Sequence, residues 1–363
     1  MGRNNLIMSK ELLNLAKKFI SIESTADNQK ARDEVLELAL SHLKGFAIDR
    51  FENNGVKSAL IYRGSKRPKK FKIILNGHLD VVPGKKTQYS PEIKGNRLYG
   101  VGSMDMKANV ACIISVFKDM ADKVSFPLGL QLVTDEEIGG FDGTKYQVDK
   151  GVRADFVIAA EPTNFNIANK AKGVLWLKVS AKGKTAHGAY PWRGKNAILM
   201  ITKFLDRLYA KYPTPKKKEW VTTVNLSRIE TSNQSFNKIP DDCEAWLDIR
   251  YIPEDSKMIL EDINKLLPKG LKLDIVSFDP SLEVEGTNKY IGLLQKSVHS
   301  VRKSEAILYG AQGSSDARHF TEVGCSGVEF GPIGGGIGTD HEWVDIKSLG
   351  DYCKVLKNFL SQL

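Results

Sequence analysis

Apolar positions recur along this chain with two periods, and the alternation between the two outlines a fold. Leu12, Leu15, Ala16, Phe19 and Ile20 return every three or four residues and predict an amphipathic helix, with Ser9 placed to cap it. Val35, Leu38, Ala39 and Leu43 predict a second helix. Ser58 to Tyr62 and Phe71 to Leu75 are short, dense in β-branched and aromatic residues, and predict strands. A third helix is expected near Met106, with Val110, Ile113, Ile114 and Phe117 inward, followed by strands from Leu128 to Val133 and from Phe156 to Ala160. Strands alternating with helices predict an α/β layer around a mostly parallel sheet.

From about Gly173 the order changes. A strand (Val174 to Val179), a helix (Ala197, Ile201, Phe204, Leu205, Leu208), two strands (Val221 to Ile229, Glu244 to Tyr251), a helix (Met258 to Leu267) and a strand (Leu271 to Phe278) succeed one another. That is βαββαβ, the ferredoxin-like order. After about Glu285 the first pattern resumes and ends in a helix carrying Leu349, Cys353, Leu356 and Leu360. The expectation is an α/β chain with a catalytic domain in residues 1–172 and 286–363 and an inserted ferredoxin-like domain in 173–285. No internal repeat or low-complexity tract interrupts it.

Bulk composition narrows the function classes. At 363 residues the chain suits two domains, and 42% apolar with 26% charged residues is ordinary for a globular protein. No apolar run approaches the roughly 20 residues a membrane span needs. Met1 to Asn5 is polar and does not resemble a signal core, and Met8 is an alternative start. Cys112, Cys243, Cys325 and Cys353 are scattered, which argues for buried thiols in a cytoplasmic protein. The net charge of +10 sits largely in Lys66–Lys70 and Lys216–Lys218, runs without interleaved aromatics, so solvated loops are expected and no nucleic-acid partner.

The chemistry lies where strands end. Ile73-Ile74-Leu75 runs into Asn76-Gly77-His78-Leu79-Asp80, Val133 into Thr134-Asp135-Glu136-Glu137, and Ala160 into Glu161, while Asp105 precedes a helix. Open α/β sheets bind ligands beyond the carboxyl ends of their strands. Each residue alone has an ordinary reading, as a helix cap, polar loop or turn residue. Their joint arrival at one edge would be self-repelling without cations. One or two imidazoles among carboxylates suit zinc, with cobalt or manganese as alternatives, and an aspartate can bridge two such ions.

Gly77-His78-Leu79-Asp80-Val81-Val82-Pro83, Tyr99 to Lys107 in the form YGVGSMDMK, Thr134-Asp135-Glu136-Glu137-Ile138-Gly139-Gly140, Ala160-Glu161-Pro162-Thr163, Thr185 to Pro191 and Ser314-Ser315-Asp316-Ala317-Arg318 resemble the aminoacylase, succinyl-diaminopimelate desuccinylase and glutamate carboxypeptidase family of co-catalytic zinc hydrolases. The resemblance covers essentially the whole chain. It implies two metals, with His78 and Glu161 on the first, Glu137 on the second and Asp105 bridging. It implies that Asp80 orients the His78 imidazole, that Glu136 is the general base, and that His187 of an inserted lid and dimerisation domain completes the site of a partner subunit. Arg250 matches a residue that grips a substrate carboxylate, and Asn237 another substrate-facing position. Arg250 lies opposite the apolar set Ala245, Leu247, Ile249 and Tyr251 on its strand, where an internal salt bridge is the ordinary alternative.

The resemblance departs at one place. The family carries a further ligand histidine four residues before a glutamate that here is Glu342, and the matching position is Gly338. His341, His319 or no histidine at all would then serve the second metal, His341 being preferred because it lies in the same loop. The expected activity is metal-dependent hydrolysis of the amide of a small, carboxylate-bearing N-acyl amino acid. Dipeptidase or carboxypeptidase activity, or a binding protein that has lost catalysis, are the alternatives. The glycine-rich run Gly331–Gly338 lacks the Gly-Lys-Ser/Thr ending of a phosphate loop, which sets nucleotide binding aside.

Overall fold

In the computed structural model, residues 3–363 are described, with side chains from Lys10 onward; Met1 and Gly2 of the polar N-terminal stretch lie outside the described residues. The first helix spans Arg3–Ile20, so Ser9 stands within it and not at its start. A longer helix accommodates the polar residues ahead of Ser9, which carry no break signal.

The chain divides into two compact units: residues 1–169, 283–309 and 315–363, and residues 170–282 with 310–314. The segment 310–314 has no counterpart among the expected boundaries.

The larger unit is built on a mixed sheet. Its strands run in the order Ala47–Asn53, Val56–Tyr62, Leu128–Val133, Phe71–His78, Ala154–Ala159, Ser326–Glu329, Ile167–Ala171 and Leu282–Glu283. Phe71–His78 pairs in parallel with Leu128–Val133 and with Ala154–Ala159, which pairs in parallel with Ser326–Glu329. Strands nearer the edges run antiparallel. Alternation sends Ile73, Leu75, Leu130, Leu132, Phe156 and Ile158 to the face packed by the helices Arg3–Ile20, Lys107–Met120, Lys289–Arg302 and Ile346–Ser361. Ile74, Val157, Leu60 and Tyr62 join Val148, Phe320 and Cys325 in a separate core. Central strands covered on both faces read as unbroken apolar runs, which is why they were conspicuous in the sequence. Gly77 has a packing reason: a methyl there would meet Val110 Cγ2 at 2.8 Å and Ile113 Cδ1 at 2.9 Å, so the Lys107–Met120 helix closes on the strand one residue before His78.

The smaller unit has four antiparallel strands in the order Thr223–Glu230, Asp242–Tyr251, Gly173–Lys182, Leu271–Asp279. Leu175, Leu177, Val179, Ala245, Leu247 and Ile249 bury one face beneath the helices Ala197–Lys211 and Ile259–Leu266. The two lysine runs lie outside helices and strands, and among the described residues no helix is long and apolar enough to cross a membrane.

Candidate metal centre

Parallel pairing fixes where the acids meet. His78 stands in register with Val133, and Asn76 with Ala159, so the residues after those strands leave the sheet at one edge. The chain after Val133 makes a short turn, Glu136–Ile138, and that after Ala159 reaches Glu161 directly. Asp105 arrives from the loop before the Lys107–Met120 helix. Asn109 ties that helix start to the Glu161 strand end, donating to the Met104 carbonyl at 3.1 Å and the Ala160 carbonyl at 2.6 Å.

Two groups of candidate ligands share His78: His78, Asp105 and Glu137, and His78, Glu136 and Glu161, each with donor atoms within 4.8 Å of one another. His78 Nε2 lies 3.1 Å from Asp105 Oδ1, 3.9 Å from Glu136 Oε2 and 4.0 Å from Glu161 Oε1. Its Nδ1 is 3.0 Å from the Asp80 carbonyl oxygen and 3.6 Å from Asp80 Oδ1. The hydrogen bond that orients the ring thus goes to the Asp80 backbone. The Asp80 carboxylate instead accepts the Glu137 amide at 2.9 Å, and so steadies the turn carrying both glutamates.

The electrostatics fit divalent cations. Burial raises the Glu137 carboxyl to about 8, helped by the charges of Asp105 and Asp80. Burial likewise drives Glu136 and Glu161 well above the usual carboxylate range, with neighbouring acids adding to it. Burial opposes protonation of His78, but the Asp105 carboxylate at hydrogen-bond distance and the negative charge of Asp80 beside the ring carry the imidazole well above its ordinary value. Glu161 Oε1 and Asp80 Oδ1 are buried without a hydrogen-bond partner. Crowded acids with orphaned oxygens around one imidazole are a donor set lacking positive charge.

A pH dependence follows. A carboxyl whose folded value is raised binds more protons folded than unfolded, so its stabilising contribution is full below its ordinary value of 4.5 and is lost as pH rises through the folded value, about 8 for Glu137. The metal-free protein is expected to lose melting temperature between about pH 5 and pH 8, and saturating divalent cation to remove that slope. A metal-free melting temperature that rises across this window would contradict the burial of these acids.

The other expected site residues fall elsewhere. A cleft of about 180 Å³ is lined by Asp105, Glu137, Gly338, Ile337, Glu342 and neighbours, and a Cβ added at Gly338 would meet nothing within 4 Å. Gly338, where the resemblance implies a histidine, therefore lines the same cleft as Asp105 and Glu137. His341, expected at the second metal, is exposed and belongs to neither ligand group in this structure. Its neighbour Glu342 explains why: that carboxylate turns inward to accept the amides of Gly102, Met104 and Asp105 at 3.1, 2.7 and 3.1 Å, leaving the adjacent side chain outward. His319 is also outside both groups, with Nε2 committed to the Gly139 carbonyl at 3.0 Å.

In the smaller unit, His187 and Asn237 are brought side by side, both exposed: Gly188 donates to the Asn237 carbonyl at 2.7 Å, and His187 bridges to Lys238. Arg250 Nε donates to Asp248 Oδ1 at 2.8 Å, and Trp176 Nε1 reaches the same oxygen at 3.0 Å. The guanidinium is thus partly neutralised within its own sheet.

Sequence reasoning overlooked the acids behind the centre. Asp135 accepts the Asp142 and Gly143 amides at 2.9 and 3.0 Å, and Asp316 is bound by Thr144 at 2.5 Å. The run Asp135-Glu136-Glu137 signalled the first, but its role in folding the turn depends on the Asp142 and Gly143 amides returning to it, which residue type alone does not signal.

Known proteins share this architecture. The chain is 29% identical over 334 residues to a succinyl-diaminopimelate desuccinylase of Pelagibacter ubique, covering 84% of this chain and 86% of that protein. It superposes on aminopeptidase PepT of Bacillus cereus with a TM-score of 0.79 at 17% identity, over 98% of both chains. It superposes on the YXEP protein of Bacillus subtilis, a dinuclear metal-binding peptidase of the M20 family, with a TM-score of 0.72 at 12% identity, over 98% of this chain and 97% of that one. Residues 74–362, most of the chain and all of the candidate centre, match peptidase family M20/M25/M40, and the chain belongs to that family of hydrolases acting on amide and peptide bonds.

Proposed function

We propose that this chain is a metal-dependent amide hydrolase acting on a small N-acyl amino acid that carries a carboxylate, in the manner of a desuccinylase or deacylase. The observation that carries the reading is the meeting of His78, Asp105, Glu136, Glu137 and Glu161 within two ligand groups at one sheet edge. When bound, a pair of divalent cations, zinc first with cobalt or manganese as alternatives, would supply Lewis acidity for activating water and polarising the amide carbonyl. His78 and Glu161 would hold one cation, Glu137 the other, and Asp105 both. Glu136 takes the proton of the attacking water and returns it to the leaving amine, and its burial beside other acids raises its affinity for that proton.

The smaller unit is proposed as a lid through which two copies associate, with His187 donating to the oxyanion in the partner's site. Arg250 and Asn237 are proposed to bind the substrate carboxylate, Arg250 through its planar fork once Asp248 shares it. Four buried free cysteines fit a reducing, cytoplasmic setting.

Assaying N-succinyl, N-acetyl and other N-acyl amino acids beside dipeptides, with zinc, manganese and cobalt, tests the reading. An N-acyl amino acid is expected to be the best substrate, and Arg250→Ala is expected to raise KM by about 10-fold or more, the loss of a charged hydrogen bond, with a smaller change in kcat. Preference for a free α-amino dipeptide would favour the peptidase alternative, since 17% identity to an aminopeptidase shares only the fold. No turnover of any amide by metal-loaded protein would leave a binding role.

A further inference from the structure

The turn that carries Glu136 and Glu137 is held from behind at a single atom. The Gly139 carbonyl oxygen accepts from Arg318 Nη2 at 2.7 Å and from His319 Nε2 at 3.0 Å. The other end of the same peptide plane is also held, since Gly140 N donates to the Asp135 carbonyl at 2.8 Å. Gly139 and Gly140 have φ of +112° and +65°, and a methyl on Gly140 would come within 2.0 Å of Asp316 Oδ1. The segment with Asp316, Arg318 and His319 therefore lies directly against the turn.

The two donors are buried for this contact. Arg318 and His319 are 2% and 1% exposed. Burial, with the Arg318 charge beside it, pushes the His319 imidazole down to about 3, so the ring is neutral. A neutral ring carries one N–H. Nε2 faces a carbonyl and must be the donor, and Nδ1 is left buried without a partner. Phe141 packs against the ring with centroids 5.9 Å apart. Arg318 Nη1 is anchored to the Ser315 carbonyl at 2.8 Å.

A peptide plane between two glycines has no Cβ to bias it, so its carbonyl can point either way at little cost. Flipping it would withdraw the Gly140 N–H from the Asp135 carbonyl, the hydrogen bond by which this plane closes the turn, and would redirect both glutamates. Two buried donors converging on one oxygen select one of the two orientations. We propose that Arg318 and His319 are positioning residues that lock the Gly139–Gly140 peptide and thereby aim the Glu136 and Glu137 carboxylates. The inference rests on the roles proposed above for those two glutamates, and neither Arg318 nor His319 belongs to a ligand group.

The test is Co²⁺ titration of the metal-free full chain, followed by visible absorption, for wild type, His319→Phe and His319→Gln. Phenylalanine keeps the ring volume and the contact with Phe141 but has no donor; glutamine keeps an N–H at similar reach. His319→Phe is expected to weaken the more weakly held Co²⁺ by about 10- to 100-fold, the range for groups that orient metal ligands, and His319→Gln to return it to within about threefold of wild type. Unchanged Co²⁺ affinities in His319→Phe overturn the proposal. So do equal losses in both variants with matching falls in melting temperature, because packing alone would produce them. Arg318→Lys is a second test that keeps the buried charge and loses the fork: weakened Co²⁺ in a folded variant supports the lock, and wild-type affinity overturns it. None of these readouts needs a substrate, so a wild type that binds Co²⁺ in this pattern yet hydrolyses nothing would remove the proposed function and leave the positioning role standing.

Discussion

Glu136→Gln lowers turnover by about 10²–10⁴-fold, the usual cost of removing a general base, while metal content and substrate binding stay near wild type. Glutamine has nearly the shape of glutamate but cannot take a proton. Glu136 stands 3.9 Å from His78 Nε2 in the group that also contains Glu161, so a ligand role is the geometric alternative. Metal analysis of the purified variant separates the two. Loss of a metal ion alongside activity would exchange the roles given to Glu136 and Glu137. The same variant tests the lid: mixed with His187→Ala protein, inactive alone, it should recover part of the activity if His187 serves the partner's site. Subunit exchange without recovery would confine the site to one chain.

Removing divalent metal abolishes turnover, and returning it restores turnover with two unequal affinities. The inequality follows from the imidazole count. His78 has one nitrogen available to a metal, because Nδ1 faces the Asp80 carbonyl at 3.0 Å. Among the described residues no second histidine joins either ligand group. On the proposed assignment one cation would be served by imidazole and carboxylate, the other by carboxylates alone, a weaker and harder donor set that suits manganese better than zinc. Stepwise titration should show the second affinity lower by about 10-fold or more, the scale of a lost orienting group taken as a floor. His341→Ala should leave both unchanged, since that side chain points outward. Undiminished turnover by protein shown to be metal-free would end the metallohydrolase reading, and a weakened second site in His341→Ala would show that the Gly334–Gly338 loop moves to deliver that histidine.

Much of this was legible in the chain itself. Central strands declared themselves as unbroken apolar runs, because both of their faces are covered. Where those runs stop and His, Asp or Glu follow, parallel pairing guarantees a shared edge, so the sequence itself groups His78, Glu136, Glu137 and Glu161. The βαββαβ order of residues 173–279 was readable for a similar reason, each element burying one face with its own period. The strand Ala47–Asn53 was not readable. Its Asp49, Arg50 and Glu52 give it no apolar alternation, and it exists because Val56–Tyr62 offers a partner.

What the sequence alone determined is the kind of chemistry and the edge at which it occurs, since residue type and strand period are local properties. Tertiary structure decided the finer contacts. The small sheet of Glu92–Lys94, Arg97–Tyr99, Gly334–Gly335 and Trp343–Asp345 joins segments more than two hundred residues apart, and that pairing sets Gly338 at the cleft with Asp105 and Glu137. Glu342 turning inward on three amides is what sends His341 outward. The Asp80 backbone, and not its carboxylate, holds the His78 ring. Arg318 and His319 meet the Gly139 carbonyl from nearly 180 residues away. Such contacts depend on which side chain finds a partner after long loops close, and no period or spacing in the chain records that choice.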